Sequence, residues 1–170
     1  VGHSTGGTIA CLMLATAPEL FHKAYLLDPV GAEGVKFDPA MIQAFDAMKV
    51  DKNLTATVIG STIHHVDSTA AFFKDVIVED AFKSVKAVGH LVLKALDGLD
   101  IRESLKQVQQ PVKVVHGEFD QLLPAEESKK LAKLFKNGQF ETLAGCGHCG
   151  NYENPKIFVQ NVSQFLFATH

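Results

Sequence analysis

Apolar and polar residues follow two different patterns along this chain of 170 residues. Small and apolar side chains recur at helical spacing over residues 5–17, and Pro18 follows where a helix cannot continue. Residues 23–31, KAYLLDPVG, then form a short apolar run that ends in turn-forming residues, as a buried strand does before a loop. The first part of the chain therefore predicts a helix followed by a buried strand.

The C-terminal part repeats this alternation. The β-branched residues of PVKVVHG, residues 111–117, predict a second strand, and Pro124 opens a helix. QFETLAG, residues 139–145, predicts a third strand before a final helix. That helix places four apolar side chains on one face: Phe158, Val162, Phe165 and Leu166. Because strands alternate with helices, we predict an α/β protein with a parallel sheet flanked by helices.

Residues 36–107 differ from both flanks. They contain no β-branched strand run, and their apolar residues fall at helical spacing, as in Val85, Val88 and Val92. We therefore predict an all-helical insertion over residues 36–107. It would separate two parts of one α/β core, residues 1–35 and 108–170.

Composition narrows the class of protein. An apolar fraction of 46%, a charged fraction of 21% and a mean hydropathy of +0.10 are typical of one globular domain. No apolar run approaches the roughly 18 residues of a membrane-spanning helix. A net charge of −3 without a Lys/Arg cluster argues against a nucleic-acid partner, so we expect neither a membrane nor a nucleic acid as partner.

The three cysteines indicate a compartment. An odd, small number of cysteines does not make the disulfide framework of a small secreted domain. We therefore expect a reducing, cytoplasmic location, while a signal segment upstream of Val1 would lie outside this sequence.

The first residues, VGHSTGG, contain the pattern G-x-S-x-G at Gly2, Ser4 and Gly6. A serine on so tight a strand-to-helix turn has strained backbone angles, and we expect both glycines to be needed for the neighbouring chain to pass close by. The turn lifts the serine hydroxyl out of the sheet. It also directs the backbone N–H of Thr5, at the positive end of the following helix, toward a developing oxyanion.

A serine hydroxyl needs a histidine to take its proton and an acid to orient that histidine. Asp120 and His148 follow Ser4 in the order acid, then histidine, and each comes after the end of a predicted parallel strand. The carboxyl ends of the strands are the edge where open α/β sheets place their sites. Asp28 also follows a strand and is the alternative acid, although an Asp-Pro pair has an ordinary turn explanation.

Three segments, GHSTGG, VVHGEFDQLLP and GCGHCGNYENP, resemble the nucleophile elbow, acid turn and histidine loop of the α/β-hydrolase superfamily. The resemblance implies that Ser4 is the nucleophile, His148 the general base and acid, Asp120 the orienting carboxylate and the Thr5 N–H one oxyanion donor. It also implies that residues 36–107 form the cap domain. In that superfamily four strands and the loop with the second oxyanion donor precede the elbow, so we expect this chain to be the C-terminal portion of a larger hydrolase. Its partner would be the missing N-terminal half or a pairing chain.

The resemblance implies a function without a cofactor or a metal. We expect an acyl-enzyme hydrolase that cleaves a small, fairly apolar carboxylic ester, a small-molecule substrate. Amide, lactone or C–C bond hydrolysis on the same fold, or a non-catalytic ligand-binding protein, are the alternatives. Five residues are candidates for the substrate pocket: His3, His64, His65, Leu123 and Cys149.

Cys146 and Cys149 have the C-x-x-C spacing of thiol-disulfide exchange, and the tetrad CGHC resembles the active site of the disulfide isomerases. However, thioredoxin-type motifs stand near the start of their domain, and here only a turn and one helix follow. Zinc is disfavoured because Cys146, His148 and Cys149 are too closely spaced for a tetrahedral site without a second cluster. We therefore interpret His148 as the functional residue of this loop.

Overall fold

The computed structural model describes residues 1–168, and within them four parallel strands form one sheet. The strands are β1 (Gly2–His3), β2 (Ala24–Leu27), β3 (Val112–Gly117) and β4 (Gly138–Leu143), in the spatial order β1-β2-β3-β4. Each strand pairs in parallel with the next, for example Leu26 with Val114. The predicted α/β class with a parallel sheet is confirmed.

Helices join the strands. A 3₁₀ turn, Pro18–Leu20, follows the first helix, and a π-helical segment, Phe73–Ile77, runs into the fourth. The helices are α1 (Thr5–Thr16), α2 (Pro39–Met48), α3 (Lys52–Ser61), α4 (Val78–Leu96), α5 (Arg102–Leu105), α6 (Ala125–Leu134), α7 (Gly150–Glu153) and α8 (Pro155–Phe167). No helix within residues 1–168 is both long enough and apolar enough to cross a membrane.

The core lies on both faces of the sheet. Successive residues of a strand point to opposite faces, so Leu26 packs in one apolar cluster with Val114, while Leu27 packs in another with Val115. All four residues of β2 are buried. Burial on both faces explains why β2 is continuously apolar instead of alternating.

Helices also occupy the middle of the chain. Asp38 and Asp51 cap α2 and α3, because each carboxylate accepts backbone N–H groups of the first helical turn. A separate apolar cluster forms there around Ile63, Phe73 and Val78. By contrast Ile101, Leu105 and Val108 are buried in the main core, although Ile101 and Leu105 fall within the range that the sequence assigned to the insertion.

Candidate active site

Ser4 lies at the junction of β1 and α1 with a backbone φ of 54° and ψ of −123°. A positive φ is uncommon for a residue other than glycine, and such strain is typical of functional turns. The turn is tied to the sheet because the Ser4 N–H donates to the Leu27 carbonyl at 3.0 Å. The sequence predicted this strained turn.

The two glycines of the elbow are not equivalent. A Cβ at Gly2 would meet the backbone oxygen of Gly6 and would lie 2.8 Å from the Gly7 Cα. A Cβ at Gly6 would meet nothing within 4 Å among residues 1–168. The expected steric need for glycine is therefore confirmed at Gly2 and wrong at Gly6. It belongs instead to Gly7, whose Cβ would lie 2.6 Å from the Pro29 Cβ.

Asp120 and His148 meet at the carboxyl edge of the sheet. The side chains of both are almost completely buried, and His148 Nδ1 lies 2.8 Å from Asp120 Oδ2. Asp120 also accepts the backbone N–H groups of Leu122 at 2.7 Å and Leu123 at 3.2 Å. Burial opposes ionisation of Asp120, but the hydrogen bond and charge of His148 and these two N–H groups hold its pKa below the ordinary value. An ionised Asp120 makes Nδ1 the protonated nitrogen, which leaves Nε2 free to accept a proton.

Asp28, the alternative acid, is fully buried and has a φ of 42°. Its Oδ1 accepts the Gly117 N–H at 2.7 Å, and its Oδ2 is buried without a hydrogen bond among residues 1–168. Burial, reinforced by the nearby charge of Asp120, raises the pKa of Asp28 to about 8. His148 Nδ1 donates its hydrogen bond to Asp120, whereas the raised pKa keeps Asp28 mostly neutral.

His116 is a member of this cluster that the sequence reading did not identify. Its Nδ1 lies 2.9 Å from Ser128 Oγ and 3.4 Å from Asp28 Oδ1, and its Nε2 lies 3.8 Å from Asp120 Oδ2. Burial lowers its pKa, against the opposing charge of Asp120. The signal in the sequence was a histidine at the end of a valine-rich strand, four residues before the predicted acid.

Two overlapping groups of side chains place three possible metal ligands within 4.8 Å of one another. One consists of His3, Asp28 and His148, and the other of Asp28, His116 and Asp120. Both groups include the buried Asp28, and each includes a member of the His148–Asp120 hydrogen bond. The possible metal ligands therefore belong to the same cluster as the His148–Asp120 hydrogen bond.

Ser4 and Thr5 line an apolar cavity of about 140 Å³. Thr5 is the first residue of α1, so its N–H has no acceptor within the helix and is available at the positive helix end. The cavity lies between the sheet edge and helices α2 and α4. Its other lining residues are Val30, Val35, Phe37, Met41, Phe45, Val92, Leu93, Leu96, Leu122 and Leu123.

The family model described as the alpha/beta hydrolase fold matches residues 1–155. This chain belongs to that family. The match spans both halves of the sheet, the elbow at Ser4 and the histidine loop at His148. The predicted resemblance to the α/β-hydrolase superfamily is thereby confirmed.

Similar proteins include hydrolases of more than one kind. The chain is 25% identical to 2-hydroxy-6-oxo-2,4-heptadienoate hydrolase of Pseudomonas putida over 184 residues, which cover 99% of this chain and 63% of that protein. It is 44% identical to a bifunctional esterase/perhydrolase of Acinetobacter calcoaceticus over 55 residues, 32% of this chain and 20% of that protein. Among solved structures, the carboxylesterase CesB of Bacillus subtilis matches with a TM-score of 0.76 and 22% identity, over 97% of this chain and 58% of that one. The chain therefore spans less than two thirds of the length of these proteins.

Of the five predicted pocket residues of this α/β-hydrolase, Leu123 lines the cavity beside Ser4. His64 instead stacks on Phe119, with ring centroids 4.3 Å apart, and His65 is exposed. His3 is turned toward the histidine loop, where its Nε2 lies 2.7 Å from the His148 carbonyl oxygen. The apolar residues that α2 and α4 contribute to the cavity were missed, because helical spacing alone does not say which helix face meets the sheet edge.

The cysteines of the C-x-x-C segment lie in different apolar clusters. Cys146 packs beneath the sheet with Leu143, whereas Cys149 packs against the cluster around Ile63. Burial raises the pKa of Cys146 and raises that of Cys149 to about 11, although a contact with Thr62 opposes the shift at Cys149. Thiol-disulfide chemistry needs a lowered thiol pKa, so this environment argues against a redox site.

Proposed function

We propose that this chain is the catalytic C-terminal portion of a serine hydrolase that cleaves a small, fairly apolar carboxylic ester through an acyl-enzyme. Ser4 is the nucleophile, His148 the general base and acid, and Asp120 the carboxylate that orients His148. The observation that carries the proposal is the buried 2.8 Å hydrogen bond between His148 and Asp120, on the sheet edge that also holds the strained Ser4.

The steps follow from these positions. His148 Nε2 takes the Ser4 hydroxyl proton as Oγ attacks the ester carbonyl, and the Thr5 N–H stabilises the resulting oxyanion. The protonated imidazole then gives its proton to the leaving alcohol, and an acyl-serine remains. Water attacks the acyl group with His148 again as base, which releases the acid and restores Ser4. Asp120 stays ionised throughout and stabilises the imidazolium.

The substrate class rests on the cavity. All but two of its lining residues are apolar, and none of the lining residues within 1–168 is charged. A volume of about 140 Å³ suits a short acyl chain better than a long one. We therefore place the acyl group of a small ester against α2 and α4, with residues 36–107 serving as the cap.

C–C bond hydrolysis is the second candidate, because the P. putida relative acts on a heptadienoate. That compound, by its name, contains neither an ester nor an amide, so its hydrolysis breaks a carbon–carbon bond. It also carries a carboxylate, and the cavity offers no Lys or Arg within residues 1–168 to pair with one. The uncharged lining favours the ester.

The proposal places the second oxyanion donor outside this chain. In the fold, the second oxyanion donor comes from a loop that precedes the nucleophile strand. β1 is an edge strand of the sheet among residues 1–168, and its free side is where those preceding strands, on the same or another chain, would pair.

A fluorophosphonate probe tests the proposal, because it reacts covalently with an activated serine. We expect labelling of the purified protein, complete loss in Ser4→Ala and no change in Ser61→Ala, which removes an exposed hydroxyl on α3. Release of p-nitrophenol from short-chain esters should likewise be lost in Ser4→Ala and unchanged in Ser61→Ala. Labelling that survives in Ser4→Ala, or an absence of labelling in the protein that includes the strands preceding β1, would refute the assignment.

A further inference from the structure

The carboxylate of Glu153 holds the backbone on both sides of His148. Its Oε2 accepts the Gly147 N–H at 2.7 Å, and its Oε1 accepts the Cys149 N–H at 3.0 Å. Glu153 is the last residue of the short helix α7, which directly follows this loop. Two oxygens of one side chain thus accept the N–H groups of the residues immediately before and after the histidine.

His3 contacts a third backbone group of this loop, the carbonyl of His148 itself. Its Nε2 lies 2.7 Å from the His148 carbonyl oxygen, and a carbonyl only accepts, so this nitrogen carries the proton. The two imidazole rings are 4.9 Å apart between centroids. Since His3 precedes Ser4 in the chain, the contact joins the nucleophile turn directly to the histidine loop.

These contacts restrict the backbone of the loop that carries His148. Gly147 and Gly150 lack side chains that would restrict the backbone of this loop, and a Cβ at Gly147 would lie a tight 3.0 Å from the His64 Cβ. Within residues 1–168 the His148 imidazole has one hydrogen bond to a side chain, from Nδ1 to Asp120. This single hydrogen bond does not fix the position of Nε2, because the ring can still tilt about it. Holding the peptide groups fixes the position from which the side chain extends.

We propose that Glu153, together with His3, is a positioning residue that clamps the backbone of residues 147–149 and so keeps His148 aligned between Asp120 and Ser4. The inference rests on the proposed function, in which His148 is the base. Glu153 acts through His148 and takes no proton from the substrate. A carboxylate suits this place because the two N–H groups donate to different terminal atoms of the side chain, and both of these atoms must then be acceptors.

Glu153→Gln tests the clamp. The amide keeps the size of the side chain but offers one acceptor, so one of the two N–H groups loses its partner and meets an NH₂ group. We expect kcat and the rate of Ser4 labelling to fall by up to about 100-fold with little change in KM, because a displaced base affects the chemical step and not ground-state binding. Glu153→Asp, which keeps both acceptor oxygens, should recover part of the loss. Glu126→Gln, an exposed carboxylate on α6, is the matched control and should be unaffected.

Amide hydrogen exchange gives a readout that does not depend on activity. In Glu153→Gln the exchange of the Gly147 or Cys149 N–H should accelerate by about tenfold, the factor that one ordinary hydrogen bond represents. His3→Phe keeps an aromatic ring but removes the hydrogen-bond donor, and it should also lower the rate of Ser4 labelling. Circular dichroism should show that the variant remains folded. Unchanged exchange at both amides would overturn the clamp itself. Accelerated exchange with undiminished labelling of Ser4 would overturn its role in positioning, while absence of labelling in the unmodified protein that includes the strands preceding β1 would instead refute the proposed function.

Discussion

Asp28 and Asp120 are two buried carboxyl groups whose surroundings assign them different protonation states. Asp120 is hydrogen-bonded to His148 and to two backbone N–H groups, which stabilise its charge and lower its pKa. Asp28 has one backbone N–H partner and an unpaired second oxygen among residues 1–168, and burial raises its pKa to about 8. At neutral pH Asp120 is therefore the charged carboxyl group of the two and Asp28 the mostly protonated one. The sequence analysis named both residues and preferred Asp120, and the structure shows that Asp120 is the one hydrogen-bonded to Nδ1 of His148.

Asp28→Asn should therefore make the protein less sensitive to rising pH. In the folded state the carboxyl keeps its proton up to about pH 8, whereas in the unfolded chain it ionises near pH 4. Between these values the folded state binds more protons, so the free energy of unfolding of the unmodified protein falls as pH rises, by at most about 1.4 kcal/mol per pH unit from this group. Asparagine mimics the neutral acid and keeps an acceptor for the Gly117 N–H.

Urea unfolding of both proteins at pH 5, 6, 7 and 8 measures this difference. The stability of Asp28→Asn relative to the unmodified protein should rise steadily with pH and become constant above pH 8. Comparing the two proteins at each pH removes the contribution of titratable groups that lie away from residue 28. A stability difference that is constant over this range would contradict a neutral Asp28.

At the scale of elements, the strands were predictable and the helix contacts were not. β2 is buried on both faces, so the continuous apolar run AYLL identified it from the sequence, and the valines of VKVVHG identified β3 despite the half-buried Lys113. The strand ends then placed Asp120 and His148 at one edge of the sheet. The role of His116 and the asymmetry between Gly6 and Gly7 depend on close approaches between elements, here β3 with α6 and α1 with the loop after β2, and local patterns carry no information about such distances.

The elbow gives a direct comparison of two glycines in one turn. Gly2→Ala would press a methyl group against the Gly6 backbone and should cost about 1–3 kcal/mol and displace Ser4. Gly6→Ala meets no neighbour within 4 Å among residues 1–168 and lies in a helix, so stability should be unchanged or raised by up to about 1 kcal/mol. Thermal unfolding and fluorophosphonate labelling distinguish the variants. Equal losses of stability and labelling in both variants would contradict the interpretation that only Gly2 is required for steric reasons.

At the scale of the whole molecule, the cavity exists because two distant parts of the chain converge. The sheet edge supplies Ser4 and Thr5, and helices α2 and α4 supply the apolar wall that faces them. The sequence could predict that residues 36–107 are helical, since their apolar residues have helical spacing. It could not predict the wall, because α2 and α4 contact the sheet edge through only part of their apolar faces and leave Ile42, Val88 and Leu91 exposed.

Phe45→Ala tests whether that wall selects the acyl group. Phe45 is half-buried on α2 beside Phe37 and lines the cavity, so its removal leaves room for additional methylene groups. We expect the ratio of kcat/KM for p-nitrophenyl hexanoate to that for the acetate to rise by about tenfold, as differences of one or a few methylenes in an apolar pocket commonly do. Val50→Ala, at a side chain 86% exposed just beyond α2, is the control and should leave the ratio unchanged. If the ratio stays constant in Phe45→Ala while Ser4 is labelled normally, the acyl group does not lie against α2. That result would contradict the proposed substrate pocket but not the serine hydrolase chemistry.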